Sequence, residues 1–111
     1  DSPALEGWNG LRITQGGETR RLARADASAL AAQVRRLAPT AGGESLAGAV
    51  SLRIEFAQGD ELLAVLELGE EPWVRWTLLR PGFAGRWAGQ ADRGQLQALQ
   101  LELRRLGVAP R

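Results

Sequence analysis

The side chains of this chain that could do chemistry are carboxylates and guanidinium groups. Its 111 residues contain 13 acidic and 14 basic side chains; every basic one is arginine, and histidine, cysteine, lysine, tyrosine and methionine are absent. An unperturbed carboxyl group has a pKa of ~4, and a guanidinium stays charged at any cellular pH. The sequence therefore contains no side chain that normally exchanges protons near neutrality, as histidine does in acid and base catalysis.

The same composition argues against nucleophilic and metal-dependent catalysis. No serine lies in a Gly-x-Ser-x-Gly turn, and neither histidine nor lysine is present to act as a base. Zinc, copper and haem sites normally need histidine or cysteine, which leaves metals with oxygen ligands. Paired carboxylates could hydrolyse glycosides, but that reaction needs a substrate groove, and Glu70-Glu71 before Pro72 is interpreted as a solvated turn. We expect a protein that is not an enzyme and has no cofactor or metal.

Recognition of phosphate groups has weak support. The pairs Gly16-Gly17 and Gly42-Gly43 lack the Gly-Lys-Ser/Thr of a phosphate-binding loop. Binding of nucleic acid has more support, because arginines cluster between positions 20 and 36. In addition, Trp73 could stack on bases while Arg75 contacts the nucleic-acid backbone. The formal net charge is only +1, however, and such affinity comes largely from phosphate neutralisation. A nucleic-acid-binding domain therefore stays the less favoured alternative.

Two segments have the periodicity of helices. The first is predicted over 26–38, with Asp26 as its N-cap and Pro39 and Gly42-Gly43 beyond its end. The second is predicted over 92–106, because Asp92 and Gln95 have capping-box spacing and leucines recur every three or four residues. Leu99 and Leu103 are expected in the core.

The remaining segments alternate apolar and polar residues, as antiparallel strands do. After an N-terminal extension over 1–10, which contains the turn signal Asn9-Gly10, the turn Gly16-Gly17 predicts a β-hairpin over 11–24. A four-strand meander is predicted over 49–88, because its connections are too short for parallel crossovers. Its strands lie near 49–57, 61–68, 73–80 and 83–88. The chain is thus predicted to be a single α+β domain, an antiparallel β-sheet packed with two α-helices in the order ββαββββα.

The alternation also predicts which residues face the core. Even-numbered residues from 50 to 56 and from 62 to 68 are apolar, so both strands should bury their even positions. That register needs a loop with an odd number of residues, such as Gln58-Gly59-Asp60 with a bulge, since a two-residue turn would bury Glu67. A turn centred on Pro81-Gly82 should place Trp76 directly opposite Trp87.

The odd-numbered face of the meander mixes apolar residues with arginine. Its apolar members are Leu63, Val65, Trp73 and Leu79. One explanation is that a helix or the N-terminal hairpin covers this face as a second core. The other is a partner protein, because tryptophan and arginine are enriched at binding hot spots. The predicted partner-binding residues are Trp73, Arg75, Arg86, Arg53 and Leu79.

These observations predict a non-catalytic protein-binding module. The absence of lysine beside abundant Ala, Gly, Leu and Arg is typical of a GC-rich bacterial genome, and the start Asp1-Ser2-Pro3 fits a mature exported protein as well as an excised fragment. We expect a periplasmic or envelope-associated location, with a cytoplasmic one left open. No apolar run approaches the ~20 residues that span a bilayer. An inhibitor of another protein is the alternative within the binding class.

Overall fold

The structure is a computed structural model and describes residues 3–37 and 48–108. These residues form a short 3-10 helix, Pro3–Leu5, six strands and two α-helices, α1 (Arg24–Leu37) and α2 (Arg93–Arg105). The strands are β1 (Gly10–Gln15), β2 (Glu18–Ala23), β3 (Leu52–Gln58), β4 (Glu61–Leu68), β5 (Trp73–Leu78) and β6 (Gly85–Gln90). The predicted α+β fold and its order ββαββββα are confirmed. Within the described part of the chain, no helix is long and apolar enough to cross a membrane.

The strands form one antiparallel sheet in the order β2-β1-β3-β4-β5-β6. The hairpin of β1 and β2 therefore joins the meander rather than standing apart from it. Because β1 is antiparallel to both of its neighbours, β2 and β3 run parallel to each other on either side of it. The chain passes from β2 to β3 by a crossover that includes α1. The side chains of β1 consequently lie beside those of β3.

Both helices contribute to a core on one face of the sheet. Alternate residues of the strands meet the apolar stripes of α1 and α2, and Leu99 and Leu103 are buried as expected. The central members are Leu11, Ile13, Leu30, Val34, Ile54, Phe56, Leu66, Val74, Leu96, Leu99 and Leu103. Burial of an aliphatic or aromatic side chain is worth about 1.5–3 kcal/mol, so this layer supplies most of the drive to fold.

An aromatic row runs through the core. The ring of Phe56 makes edge-on contacts with Trp8 at 5.3 Å and with Trp76 at 5.9 Å between centroids. Trp8 belongs to the predicted N-terminal extension, yet it is buried together with Leu5. The Arg24 guanidinium lies 4.8 Å from the centre of the Trp8 ring and donates a hydrogen bond of 3.0 Å to the Trp8 carbonyl. The N-terminal segment is thus part of the core and is tied to the start of α1.

The junction of β3 and β4 restores the predicted register by a different route. Gln58 pairs with Glu61 across a two-residue turn, and a bulge shifts the register between Phe56 and Ala57. Leu63 is the residue left without a partner in the ladder. Beyond the bulge, even positions of both strands face the core, as expected. The predicted three-residue loop was wrong, because the bulge lets a two-residue turn keep Glu67 off the helical face, opposite Arg53. The predicted core position of Leu62 was also wrong, since Leu62 pairs with Ala57 on the other face.

The register of the last hairpin was predicted correctly, although the strand bounds differ. Trp76 pairs with Trp87 and Leu78 with Gly85, but β5 ends at Leu78 and β6 runs from Gly85 to Gln90. Trp87 is only partly buried, and its ring lies over Gly85, where an added Cβ would collide with it. The ring that packs edge-on against Trp76 belongs to Phe56.

The segments around β1 and α1 also depart from the prediction. β3 begins at Leu52 rather than near residue 49, and α1 begins at Arg24, so Asp26 lies in the first turn instead of at the N-cap. Its charge is still favourable there because of the helix dipole. The turn predicted at Asn9-Gly10 is absent: Asn9 leads into β1, and its Oδ1 accepts a 3.1 Å bond from the Gly59 amide. The predicted end of α1 near Pro39 lies outside the described residues.

The ends of α2 confirm their sequence signals. The Asp92 carboxylate accepts a hydrogen bond of 2.9 Å from the Gln95 amide, as expected of an N-cap. At the other end Gly107 has a φ of +84°. The amides of Gly107 and Val108 donate to the carbonyls of Arg104 and Leu103 at 2.9 and 2.8 Å. This is the Schellman arrangement, in which glycine tolerates the left-handed conformation that ends a helix.

The two leucines Leu103 and Leu101 provide a matched test of this packing. Leu103 is buried, whereas Leu101 on the same helix is 62% exposed. We expect Leu103→Ala to lower the free energy of unfolding by ~2–5 kcal/mol, because it leaves a cavity in the core. Leu101→Ala should change it by less than ~0.5 kcal/mol. Urea unfolding followed by circular dichroism measures both, and equal effects would contradict the assignment of the buried stripe.

Candidate functional site

The sheet face opposite the helices is the candidate site, and we call it the arginine face. It consists of Arg12, Arg21, Arg53, Glu55, Val65, Glu67, Arg75, Thr77 and Arg86, which strand alternation directs away from the core. The two explanations left open for this face are now distinguishable. The helices pack on the other side, and the N-terminal hairpin is part of the same sheet, so neither covers it.

The pairing of the strands arranges the face in two rows. One row crosses all six strands in the order Arg21, Arg12, Glu55, Val65, Thr77, Arg86. The neighbouring row contains Thr14, Arg53, Glu67, Arg75 and Ala88. Directly opposed residues on one face have their Cβ atoms about 4.5–5.5 Å apart, so charged neighbours within a row interact.

The two glutamates join three of the arginines into a chain of ion pairs. Glu55 lies 3.2 Å from Nε of Arg12 and 3.1 Å from Nη2 of Arg53. Glu67 accepts a hydrogen bond of 2.9 Å from Nε of Arg75, and its carboxylate lies 2.8 Å from Nη2 of Arg75 and 3.7 Å from Nη1 of Arg53. Arg53 thus bridges the two carboxylates, and the chain Arg12–Glu55–Arg53–Glu67–Arg75 spans four adjacent strands.

The carboxylates lie beneath the guanidinium groups. The side chains of Glu55 and Glu67 are each 11% exposed, whereas those of Arg75 and Arg53 are 26% and 41% exposed. Removing a charge from water costs several kcal/mol unless it is paired, and each glutamate here has two arginine partners. The buried carboxylates therefore hold the guanidinium groups in position while leaving them accessible.

The arginine face has more positive than negative charge. Its rows contain five arginines and two glutamates, a surplus of three positive charges. Among the described residues, Arg21 and Arg86 have no ion-pair partner. Arg21 also lies directly opposite Arg12, and like charges in that position destabilise a sheet. The surplus is concentrated at the two ends of one row.

Of the five residues predicted from the sequence, Arg53, Arg75 and Arg86 belong to the arginine face, whereas Trp73 and Leu79 lie at the two ends of β5. Arg53 and Arg75 are joined through Glu67, and Arg86 lies diagonal to Arg75, opposite Thr77. Trp73 begins β5 and is half-buried; it borders a cleft that Leu96 and Gln100 of α2 also line. Leu79 follows the other end of β5, six positions away and thus roughly 20 Å distant, and is 44% exposed.

The apolar group predicted on this face is only partly present. The assignment of Leu63 was wrong: at the bulge it is fully buried in the core cluster. Val65 does lie on the arginine face but is only 4% exposed, between Glu55 and Thr77. The centre of the face therefore presents guanidinium groups to solvent, and the exposed apolar residues Leu79 and Phe83 lie beside the turn between β5 and β6.

Sequence reasoning missed the contribution of β1 to this site. The alternation of Leu11 and Ile13 with Arg12 could have shown that Arg12 points away from the core. Nothing local shows that β1 lies beside β3, which is what brings Arg12 to Glu55. The role of Glu55 and Glu67 as shared counter-ions was missed for the same reason, since their partners come from neighbouring strands.

Two clefts on the arginine face flank the chain of ion pairs. The first, of about 430 Å³, is lined by Thr14, Ser51, Arg53 and Glu67 together with the turn between β1 and β2. The second, of about 160 Å³, lies beside Arg12 and Arg21 and is also lined by Ala57, Gly59 and Asp60. Residues 3–37 and 48–108 contain no group of three or more acidic side chains arranged to hold a metal ion.

Comparisons of the chain with protein-family models, with curated proteins and with solved structures find no match. The arginine face combines three features: guanidinium groups held by nearly buried carboxylates, a positive surplus at the ends of one row, and accessible space beside them. This arrangement can recognise a surface of complementary charge.

The shared counter-ion Glu67 should be important for stability. Glu67→Gln keeps the shape but removes the charge that Arg53 and Arg75 share, so we expect the free energy of unfolding to fall by about 1–3 kcal/mol. The matched control is Glu71→Gln, whose ion pair with Arg93 is largely exposed; it should cost less than ~0.5 kcal/mol. Urea unfolding at low ionic strength measures both. Equal losses would contradict a structural role of the ion-pair chain.

Proposed function

We propose that this protein is a non-catalytic protein-binding module and that the arginine face is its binding surface. The observation that supports this most is the chain of ion pairs. Two nearly buried glutamates, Glu55 and Glu67, hold accessible guanidinium groups on a sheet face that neither helix covers. Arginine is enriched at protein interfaces, because it combines a planar charged group with an apolar stem.

Fixed guanidinium groups suit recognition energetically. Immobilising a free, rotamer-rich side chain on binding costs about 0.5–1.5 kcal/mol. In Arg53 and Arg75 part of that cost is met on folding, because Glu55 and Glu67 restrict the guanidinium before any partner arrives. Tryptophan beside arginine is the composition found at binding hot spots, and Trp73 begins the strand that carries Arg75.

Nucleic acid remains the alternative of another class, but the structure disperses the arginines that favoured it. Arg21 lies on the arginine face, whereas Arg20, opposite Ile13, is on the side of the helices and reaches Gly107. Arg24 stacks on Trp8. The two glutamates interrupt the arginine face at its centre, where a phosphate backbone would require continuous positive charge.

The cellular setting is part of the proposal. An arginine-only, cysteine-free composition supports a bacterial protein whose fold does not depend on redox conditions, and we propose a periplasmic or envelope-associated location. Inhibition of a partner is the special case in which the arginine face covers that partner's own functional surface. A change in the activity of the purified partner on binding would separate inhibition from simple association.

Binding through the arginine face can be tested with two variants, Trp73→Ala at the start of β5 and Arg86→Ala on the face itself. If Trp73 is a hot spot, we expect Trp73→Ala to weaken binding of the partner by more than ~2 kcal/mol, about 30-fold in affinity. Arg86→Ala should also weaken binding of the partner. It should change the stability little, because Arg86 is exposed and has no ion-pair partner in the described part of the chain. Immobilised protein is used to isolate the partner, and titration with the purified partner gives the affinities.

The control is Arg104→Ala, which removes an exposed arginine from α2 on the helical side of the sheet. It should leave the affinity unchanged. Loss of binding in Arg104→Ala with retention in Arg86→Ala would place the interface on the helices and overturn the proposal. Unfolding of Trp73→Ala would show that Trp73 is structural, and Arg86→Ala would then decide alone.

A further inference from the structure

Arg12 and Arg21 form a pair of like charges at one end of the arginine face that is only partly compensated by Glu55. The two residues are directly opposed on β1 and β2, where like charges cost up to about 1 kcal/mol. Glu55 contacts Arg12 at 3.2 Å but also pairs with Arg53, and Arg21 is exposed without an ion-pair partner in the described ranges. The pair is therefore stabilised by any carboxylate that reaches it from outside.

The space beside this pair is open. The next opposed residues along β1 and β3 are Gly10 and Ala57, so no long side chain fills the position beside the two guanidinium groups. The resulting cleft of about 160 Å³ is lined by both arginines. Asp60 lines it as well and makes no ion pair among the described residues. A carboxylate from a partner fits this space. There it is attracted by Arg12 and Arg21 and repelled by Asp60.

The opposite end of the same row carries Arg86, across Val65 and Thr77. Four strand spacings separate β1 from β6, so Arg12 and Arg86 lie roughly 20 Å apart. A protein surface that covers the row thus meets positive charge at both ends and paired charges in the centre. Charge complementarity selects a partner with acidic groups at two separated places.

We infer that the partner of the arginine face is an acidic protein surface and that one of its carboxylates is held between Arg12 and Arg21. This inference rests on the proposed function and specifies its partner. Guanidinium groups bind carboxylates through paired hydrogen bonds, and two opposed arginines offer donors from both sides. The recognised chemistry is an aspartate- or glutamate-rich protein segment.

The probe for this inference is a fluorescein-labelled oligoglutamate peptide, whose binding to the full chain is followed by fluorescence anisotropy at low ionic strength. We expect it to bind the wild-type protein, while an oligolysine peptide of equal length does not. Arg21→Gln should weaken the oligoglutamate affinity about fivefold or more, the loss expected for a charge-assisted hydrogen bond. Arg104→Gln removes one positive charge from the helical side of the sheet and should change the oligoglutamate affinity less than about twofold.

Asp60→Asn is the variant with the opposite expectation. It removes the negative charge from the cleft, so the affinity for oligoglutamate should rise. Arg21 and Asp60 are both exposed, and neither has an ion-pair partner within residues 3–37 and 48–108, so both variants should keep the wild-type circular dichroism. No binding of oligoglutamate, equal losses in Arg21→Gln and Arg104→Gln, or weaker binding by Asp60→Asn would each overturn the inference.

A single-stranded oligonucleotide of equal formal charge is the third probe. Tighter binding of that probe than of oligoglutamate, with the same dependence on Arg21, would overturn the inference in favour of nucleic acid. Failure of the proposed function itself gives a different result. If Arg86→Ala leaves the affinity for the purified protein partner unchanged, the proposed function fails. If Arg86→Ala lowers that affinity but Arg21→Gln does not, only the inferred carboxylate-binding site between Arg12 and Arg21 fails.

Discussion

The packing of two helices on a single face of the sheet is the constraint on which the other features depend. Leu30 and Val34 of α1 and Leu99 and Leu103 of α2 are buried against the same side of the strands. Once both helices lie there, every second strand residue must point away from them. That other face therefore has to be stabilised by interactions that tolerate water, and in this protein they are ion pairs.

The ion pairs follow from the position of β1 within the sheet. Because β1 lies between β2 and β3, Arg12 is placed opposite Glu55. The meander supplies the other opposed pairs, Glu67 with Arg53 and with Arg75. A network of mutually supporting pairs contributes more than isolated surface pairs do. The same network leaves the guanidinium groups accessible, so one arrangement provides both stability and a positively charged surface.

The charge pattern of the arginine face is better suited to selective than to general attraction. The positive surplus is at Arg21 and Arg86, at the ends of a row, while Glu55 and Glu67 occupy the centre. Interspersed charges favour partners that match their spacing and repel those that do not. The overall formal charge of +1 adds little long-range attraction, so the local arrangement is what supports the proposed binding of a protein partner.

Sequence by itself determined the features that depend on neighbours along the chain. The capping spacing of Asp92 and Gln95 defined the start of α2, and the Pro81-Gly82 turn defined the pairing of Trp76 with Trp87. These signals are readable because turns and caps involve residues a few positions apart. The alternation of the strands likewise showed which face of the meander is polar, and it included Arg53 and Arg75 among the site residues.

Tertiary structure alone decided the rest. The placement of β1 beside β3 brings together residues that are distant in sequence, such as Arg12 and Glu55, and the bulge that buries Leu63 depends on the ladder with β3. The burial of Trp8 depends on contact with Phe56. Such contacts are selected by the total apolar area that the whole domain buries, which no short segment encodes. The membership of Arg12 in the arginine face therefore emerged only with the fold.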